Sequence, residues 1–375
     1  RAEDRWGRAK MRVLFWWTAL SPYLAACWRA LQQERSVDVY VAATLNGRLT
    51  RFERDLVNGF TWIERDVEAR TFRDALSRIE ERGPLDVLVV GGWRGRNMEN
   101  LRILLEARRR REWALLLAMD TPWLGTARQR LALPFLRTAV QSCDAVVVPG
   151  ERAFQYARRL GFAERAIFQP LYGVGSANLQ RAAEKRKALG FPRRFIFIGR
   201  LVEEKGIRTL VAAYAMYRRR SPAPWPLRVC GTGPLEVLLG EQEGVEVVGF
   251  VEPAKLPLQL AEAAVFVIPS VFDPWPLALV EACASGLAVI ASRACGVVVE
   301  CVRDDWNGFV VPTGDSAALC EAMLRAEASY PRLPEMGERS IRLAEPYSAN
   351  NWARRWDTFL RRICEMRRGE GKASR

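Results

Sequence analysis

Apolar runs of strand length recur along this chain, and they constrain its fold more than any other feature. The first half carries 11–17 (MRVLFWW), 37–43 (VDVYVAA), 85–92 (LDVLVVGG), 113–119 (WALLLAM) and 144–150 (DAVVVPG). Such runs lack the in–out alternation of a sheet with one wet face. They mark strands covered on both faces, as in a parallel sheet. Helical segments separate them. One is amphipathic, from the Ser21-Pro22 loop to about Glu34, and a basic one passes through Arg108–Arg111. Strands alternating with helices predict a doubly wound parallel sheet.

The pattern breaks at 176–194 (SANLQRAAEKRKALGFPRR), which is polar and basic and reads as a linker. It restarts at FIFIGR (195–200) and continues through LRVCGTG (227–233), VEVVGF (245–250), VFVIPS (265–270), LAVIAS (287–292) and GFVVP (308–312). The expected division is a first α/β domain over 1–175, a second over 176–345, and a helix and frayed tail over 346–375. In that helix Trp352, Trp356, Phe359, Leu360 and Ile363 share one side.

Apolar residues make up 49% and charged residues 27% of the 375 residues, which excludes a disordered chain and a small disulfide scaffold. No apolar run reaches the roughly 18 residues of a spanning helix. The eight cysteines form no Cys-x-x-Cys pair and histidine is absent, so no metal site is expected. Histidine general-base chemistry is excluded, and with it the usual serine and cysteine triads. Free thiols and a polar, basic N-terminus without an export signal point to the cytoplasm.

The positive charge is uneven. Residues 1–194 hold 35 Lys+Arg against 21 Asp+Glu, whereas 195–375 hold 22 of each. Codon bias toward arginine is one source of the 51 arginines, but it does not explain the asymmetry. A cationic half concentrates anionic partners. No nucleic-acid recognition motif appears. The expected partner is an anionic membrane surface, met peripherally at its inner face, or an acceptor carrying phosphate.

In open parallel sheets ligands bind beyond the carboxyl ends of the strands, so the residues that follow strands are the informative ones. After FIFI come Gly199, Arg200 and, before a helix, Lys205 and Gly206. This reads either as an anion-binding turn with two cations or as a solvated charged turn. Gly231-Thr232-Gly233-Pro234 reads either as a ligand loop or as a tight turn. After VFVIPS, Asp273 lies in a loop and Glu281, eight residues on, in the following helix, so both carboxylates can face one ligand. The bland alternative for Glu281 is a charge favoured by the helix dipole.

Taken in order, GRLVEEKG, CGTGP, FDPWPLALVEACASGLAVIAS and CGVVVECVRDDWNGFVVPTGD resemble the C-terminal domain of the retaining GT-B glycosyltransferases of family 4. The resemblance covers about 195–365 well and is weaker over 11–175, where it rests on strand order and on Tyr172-Gly173-Val174. It implies a GT-B fold: two Rossmann-like domains facing across a cleft, with a C-terminal helix returning to the first. It implies transfer of a sugar from a nucleotide-sugar donor, a UDP- or GDP-sugar, to a glycan or lipid-linked acceptor in cell-surface polysaccharide or glycoconjugate synthesis, with no cofactor and no metal.

By the same resemblance, Arg200 and Lys205 neutralise the leaving diphosphate, Glu281 binds the ribose and Asp273 faces the transferred sugar. Gly199, Gly231, Gly233 and the backbone N–H groups of Trp275, Leu277 and Ala278 complete the donor site. The sequence departs from the family pattern in three places. Asp273 stands for the usual Glu, Pro276 for the usual Gly, and a histidine expected after the fourth strand is replaced by Leu117-Ala118-Met119-Asp120-Thr121. Asp120 then either supplies a polar contact or caps the next helix. The acceptor side is expected around Thr18, Ser21, Tyr23, Gly91-Gly92-Trp93-Arg94 and Asp120, with Trp93 and Trp123 read either as stacking faces or as core. The alternative to an enzyme is a catalytically degenerate partner subunit on the same fold.

Overall fold

Two separate parallel sheets form where the two sets of apolar runs predict them. A computed structural model describes residues 10–34, 36–44, 56–64, 71–92, 100, 103, 113–240 and 242–373. The chain divides into two units, 1–173 with 349–375, and 174–348.

In the first unit the elements are β1 (Met11–Ala19), α1 (Pro22–Gln33), β2 (Val37–Thr44), β3 (Thr61–Glu64), α2 (Thr71–Glu80), β4 (Val87–Gly91), β5 (Ala114–Ala118), α3 (Ala127–Val140), β6 (Ala145–Val147), α4 (Glu151–Arg159) and β7 (Ile167–Phe168). Among the described residues the strands lie in the order β3-β2-β1-β4-β5-β6-β7, every pair parallel. Both faces are covered, and for that reason the runs are continuous. Leu14 and Trp16 of β1 enter one core with α2 and α4, while Val13 and Phe15 enter the other with α1.

The C-terminal helix closes that second core. It runs Ala349–Ala373, so it continues through the segment expected to fray after Arg367. Trp352, Trp356, Phe359, Leu360 and Ile363 are all buried against β1, α1 and β5 of the first unit. The indole N–H groups of Trp352 and Trp356 donate to the Leu171 and Pro170 carbonyls at 3.0 and 2.9 Å. Apolar burial is thus combined with satisfied indole donors.

The second unit runs α5 (Ser176–Ala188), β8 (Phe195–Ile198), α6 (Ile207–Arg220), β9 (Leu227–Cys230), α7 (Val237–Gly240), β10 (Val245–Gly249), α8 (Leu256–Ala261), β11 (Val265–Ile268), α9 (Leu277–Ala284), β12 (Ala288–Ser292), α10 (Val298–Cys301), β13 (Gly308–Val311), α11 (Ser316–Ala328) and α12 (Leu333–Ala344). Its sheet order is β10-β9-β8-β11-β12-β13, again parallel throughout.

The stretch expected as a linker is instead α5, packed on α8 and α9. Leu179, Ala182 and Ala183 are buried, and so is Arg186. The Arg186 guanidinium donates to the carbonyls of Leu260, Ala263 and Ser285, at the carboxyl ends of α8 and α9. Helix ends leave carbonyls unpaired, and one side chain satisfies both ends here. Burial pulls the Arg186 pKa down to about 9.

Candidate active site

The order of the second sheet reverses between β8 and β11, and such a switch point opens a crevice at the carboxyl ends of the strands. Three loops meet there. The first, after β8, holds Gly199 to Gly206 and closes with a 3₁₀ turn over Glu203–Lys205. Gly206 has φ +71°, and a Cβ on it would lie 2.0 Å from the Pro269 carbonyl oxygen. Only glycine lets this loop pass so close beneath the next one. In return the N–H groups of Val271 and Phe272 donate to the Glu204 carbonyl at 2.8 and 3.2 Å.

That clamp brings Lys205 to Asp273. The Lys205 ammonium donates to Asp273 Oδ2 in an ion pair, with Asp273 only 7% exposed. Arg200 is exposed and has no hydrogen-bond or ion-pair partner among the described residues. The structure therefore places the two cations in different states, one paired and one free.

Gly231 and Gly233 serve the first loop through close packing. A Cβ on Gly231 would come 1.8 Å from the Gly199 carbonyl oxygen, and one on Gly233 2.4 Å from that of Leu201. The Leu201 N–H donates to the Thr232 carbonyl at 2.9 Å. The glycine pair thus fixes the backbone that presents Arg200.

The loop after β11 is held from a third side by the turn after β12, where the Gly296 N–H donates to the Asp273 carbonyl at 2.8 Å. It leads into α9 through Pro276 at the cap position, so Leu277 and Ala278 supply N–H groups of the first helical turn that have no partner inside the helix. Glu281 lies beyond that first turn, which contains no acidic residue, so a dipole charge does not account for it. It is half-buried, and its carboxylate has no hydrogen-bond or ion-pair partner among the described residues. Burial alone pushes its carboxyl up to about 7.

Trp275 adds a group that sequence reading missed. Its backbone was expected to matter, but its indole is buried against Tyr347, and the indole N–H has no partner among the described residues. A buried donor is nearly always paired. No signal in the sequence distinguishes such an indole from a core one.

Thiol chemistry is absent from the site. The eight cysteines are free, and burial pushes Cys283 and Cys295 up to about 12, so neither forms a thiolate nucleophile at neutral pH.

In the first unit the sheet reverses between β1 and β4. Thr18 is exposed at the end of β1, and Ser21 stands at the cap position of α1 without a side-chain capping bond. Tyr23 meets Tyr172 edge-on at 6.0 Å, and the Tyr172 hydroxyl donates to Asp120 Oδ2 at 3.1 Å. Tyr172, which sequence reading used only as a marker of resemblance, thus joins two of the expected acceptor residues. Burial first, and the Asp120 charge next, hold its hydroxyl well above the usual phenol range, so it stays a donor.

Asp120 does not cap α3. Thr126 does, accepting the Gln129 N–H at 3.2 Å. Trp123 packs on Tyr156 with centroids 5.3 Å apart and the Arg159 guanidinium over its ring, which is the core reading. Trp93, Arg94 and Arg108–Arg111 lie outside the described residues.

Residues 192–328 match the family model described as glycosyl transferases group 1. That segment is similar to group 1 glycosyltransferase domains. All of the crevice just described lies within the matched glycosyltransferase residues, apart from the ring of Tyr347. The amylovoran biosynthesis glycosyltransferase AmsK of Erwinia amylovora is 31% identical over 153 residues, 37% of each chain. This chain therefore spans just over a third of that relative.

Likeness to solved structures extends further. A glycosyltransferase from Rickettsia africae has a TM-score of 0.73 at 14% identity, covering 94% of this chain and 98% of its own. HepE of Anabaena, solved in complex with UDP and glucose, has a TM-score of 0.69 at 17% identity, covering 95% and 99%. Both sheets together therefore constitute the GT-B fold of these glycosyltransferases.

Proposed function

We propose that this chain transfers a sugar from a nucleotide-sugar donor to a glycan or lipid-linked acceptor, with retained anomeric configuration, in the synthesis of a cell-surface polysaccharide or related glycoconjugate. One observation carries the reading. The β8–β11 crevice gathers a free cation, a clamped cation–carboxylate pair, unpaired helix N–H groups and a half-buried carboxyl with no partner. A nucleoside diphosphate sugar complements each of these. Its diphosphate meets Arg200, Lys205 and the N–H groups of Leu277 and Ala278. Its ribose hydroxyls donate to Glu281, and a sugar hydroxyl donates to Asp273, with the Trp275 indole as a further donor.

The chemistry follows from where charge develops. The bond from the anomeric carbon to the diphosphate oxygen breaks, and negative charge grows on that oxygen. Fixed cations and N–H dipoles stabilise it most when they are held in place beforehand. The acceptor hydroxyl oxygen bonds to the anomeric carbon on the same face. Its proton passes to the departing diphosphate, so neither a histidine base nor a metal ion is required. Lys205 has three donors, enough to keep Asp273 while binding phosphate. In the first unit, Ser21, Tyr23 and Asp120, the last oriented by Tyr172, are the residues proposed for the acceptor.

The comparisons support this reading. HepE holds UDP and glucose. AmsK and the Escherichia coli WcaL, 31% identical over 150 residues, are named for amylovoran and colanic acid synthesis. A thermal-shift screen with UDP, GDP, ADP and TDP tests it. One nucleotide should raise the melting point, because a ligand at a hundred times its Kd adds about 2.7 kcal/mol to stability. No shift with any of them contradicts the donor site. Binding without transfer or donor hydrolysis would instead identify a degenerate partner subunit.

A further inference from the structure

The first unit exposes an apolar ridge that its own core does not use. Helix α3 turns Leu133, Leu136 and Val140 toward the core. Its opposite side carries Leu131 and Phe135, 83% and 60% exposed, one helical turn apart. Leu124, just before the helix, is 58% exposed. Large apolar side chains exposed side by side on one helix face are the kind of feature that marks an interaction surface.

The charges around the ridge indicate what covers it. Arg128 and Arg130 flank the ridge on its two sides, both exposed, and the helix contains no acidic residue, whereas Arg137 donates to the Arg159 carbonyl at 2.7 Å. The presentation is preformed. The Gln129 side chain accepts from the Leu124 N–H at 2.8 Å and donates to the Pro122 carbonyl at 2.9 Å, tying the preceding loop to the helix. An apolar crest with a cation on each side fits an interface with hydrocarbon beneath and anionic headgroups on either side. Nucleic acid would pair with the arginines and could stack on Phe135, but it would leave the aliphatic Leu124 and Leu131 in water, and a neutral protein groove offers nothing to the arginines. Residues 1–173, in the same unit, hold 29 Lys+Arg against 20 Asp+Glu.

We propose that α3 is a membrane-seating helix: Leu124, Leu131 and Phe135 enter the outer acyl layer of an anionic bilayer, and Arg128 and Arg130 meet its headgroups. This assigns membrane contact to a folded helix face rather than to arginine density alone. It stands independently of the transfer reaction, because bilayer binding requires no donor. It also brings Asp120 and Trp123, seven and four residues before the helix, near the surface where a lipid-linked acceptor is held.

The test is co-sedimentation of the full chain with vesicles of phosphatidylcholine alone or mixed with phosphatidylglycerol, without nucleotide. Wild type should bind the mixed vesicles at low salt, lose most binding as salt rises, and ignore the neutral ones. Leu131→Ser with Phe135→Ser should weaken binding at least tenfold at every salt concentration. Arg128→Gln with Arg130→Gln should weaken it chiefly at low salt. Melting curves establish that both variants fold.

Three results overturn the proposal. One is wild type that ignores anionic vesicles at low salt. Another is a folded serine variant that binds like wild type, including the case where only glutamates at Arg108–Arg111 abolish binding. The third is wild type that self-associates in sedimentation velocity while the serine variant is monomeric, which would assign the ridge to a second copy of this chain.

Discussion

The two units share the strand order that places a crevice between the first and fourth strands of each sheet, yet they build that crevice in different ways. In the second unit the loops are locked backbone to backbone. Gly206 lies under Pro269, Gly231 under Gly199, and Gly296 under Pro274. In the first unit the polar groups meet through side chains, with Tyr23 against Tyr172 and Tyr172 on Asp120. Topology fixes where a ligand sits, while the construction of the loops decides how rigidly its partners are held. A rigid cradle suits a constant ligand part such as a nucleoside diphosphate. A side-chain arrangement suits a partner that differs from one protein to another.

The largest expected effect separates the two cations of the rigid crevice. Arg200→Ala should lower turnover about 10²–10³-fold, the cost of removing one preorganised charge partner. Because Arg200 is exposed, stability should stay within about 0.5 kcal/mol. Lys205→Ala should cost turnover and, in addition, about 3–5 kcal/mol of stability, because it strands the buried Asp273 carboxylate. Adding Asp273→Asn should return much of that stability without restoring turnover. Denaturant melts beside initial rates check both. Equal stability of the two single variants would mean that the buried Asp273 carboxylate does not depend on Lys205.

Glycine substitutions set the units directly against each other. Gly231→Ala drives a methyl group into the Gly199 carbonyl and should cost about 3 kcal/mol. Gly92→Ala in the first unit has φ +74° but meets nothing within 4 Å, so only the left-handed backbone penalty of about 1–2 kcal/mol applies. Comparable losses would remove the distinction between the two crevices.

Glu281 provides a pH-dependent test. Its folded pKa, about 7, is raised above the ordinary carboxylate value, so the folded state holds a proton that the unfolded chain releases. Stability from this group is therefore present at low pH and is lost as pH rises from about 4.5 to 7. Glu281→Gln should raise the melting point at pH 8 and leave it nearly unchanged at pH 4.5. A gain of equal size at both pH values would show that the carboxyl is not strained by burial.

The smallest effect belongs to the first unit. Tyr172→Phe removes one hydrogen bond to Asp120, worth about 1 kcal/mol. It should raise the KM for acceptor and leave the KM for donor unchanged. A shift in the donor KM instead would remove Tyr172 from the acceptor side.

The sheets were legible because buried parallel strands leave unbroken apolar runs, as in 195–200 and 265–270. Strands β3 and β7 were not, since four and two residues at sheet edges carry no such run. The helix Ser176–Ala188 was hidden because its buried side rests on one leucine, two alanines and Arg186, a residue that ordinarily signals solvent. Arg200, Lys205, Asp273 and Glu281 could be singled out from their positions after strands. Their pairing could not, because the contact of Lys205 with Asp273 spans 68 residues and depends on Gly206 admitting the neighbouring loop. The Trp275 indole and the Tyr172–Asp120 bond are likewise facts of packing, with no pattern in sequence to announce them.

The central claim is that the β8–β11 crevice binds a nucleoside diphosphate through the free carboxyl of Glu281 and the free cation of Arg200. Calorimetric titration of the best nucleoside diphosphate from the thermal screen into wild type, Glu281→Ala and Arg200→Ala tests it most directly. Loss of a hydrogen bond to a charged group costs about 1.5–3 kcal/mol, so each folded variant should bind at least about tenfold more weakly than wild type, with wild-type binding unaffected by a chelator. Equal affinity in wild type and Glu281→Ala would contradict the account.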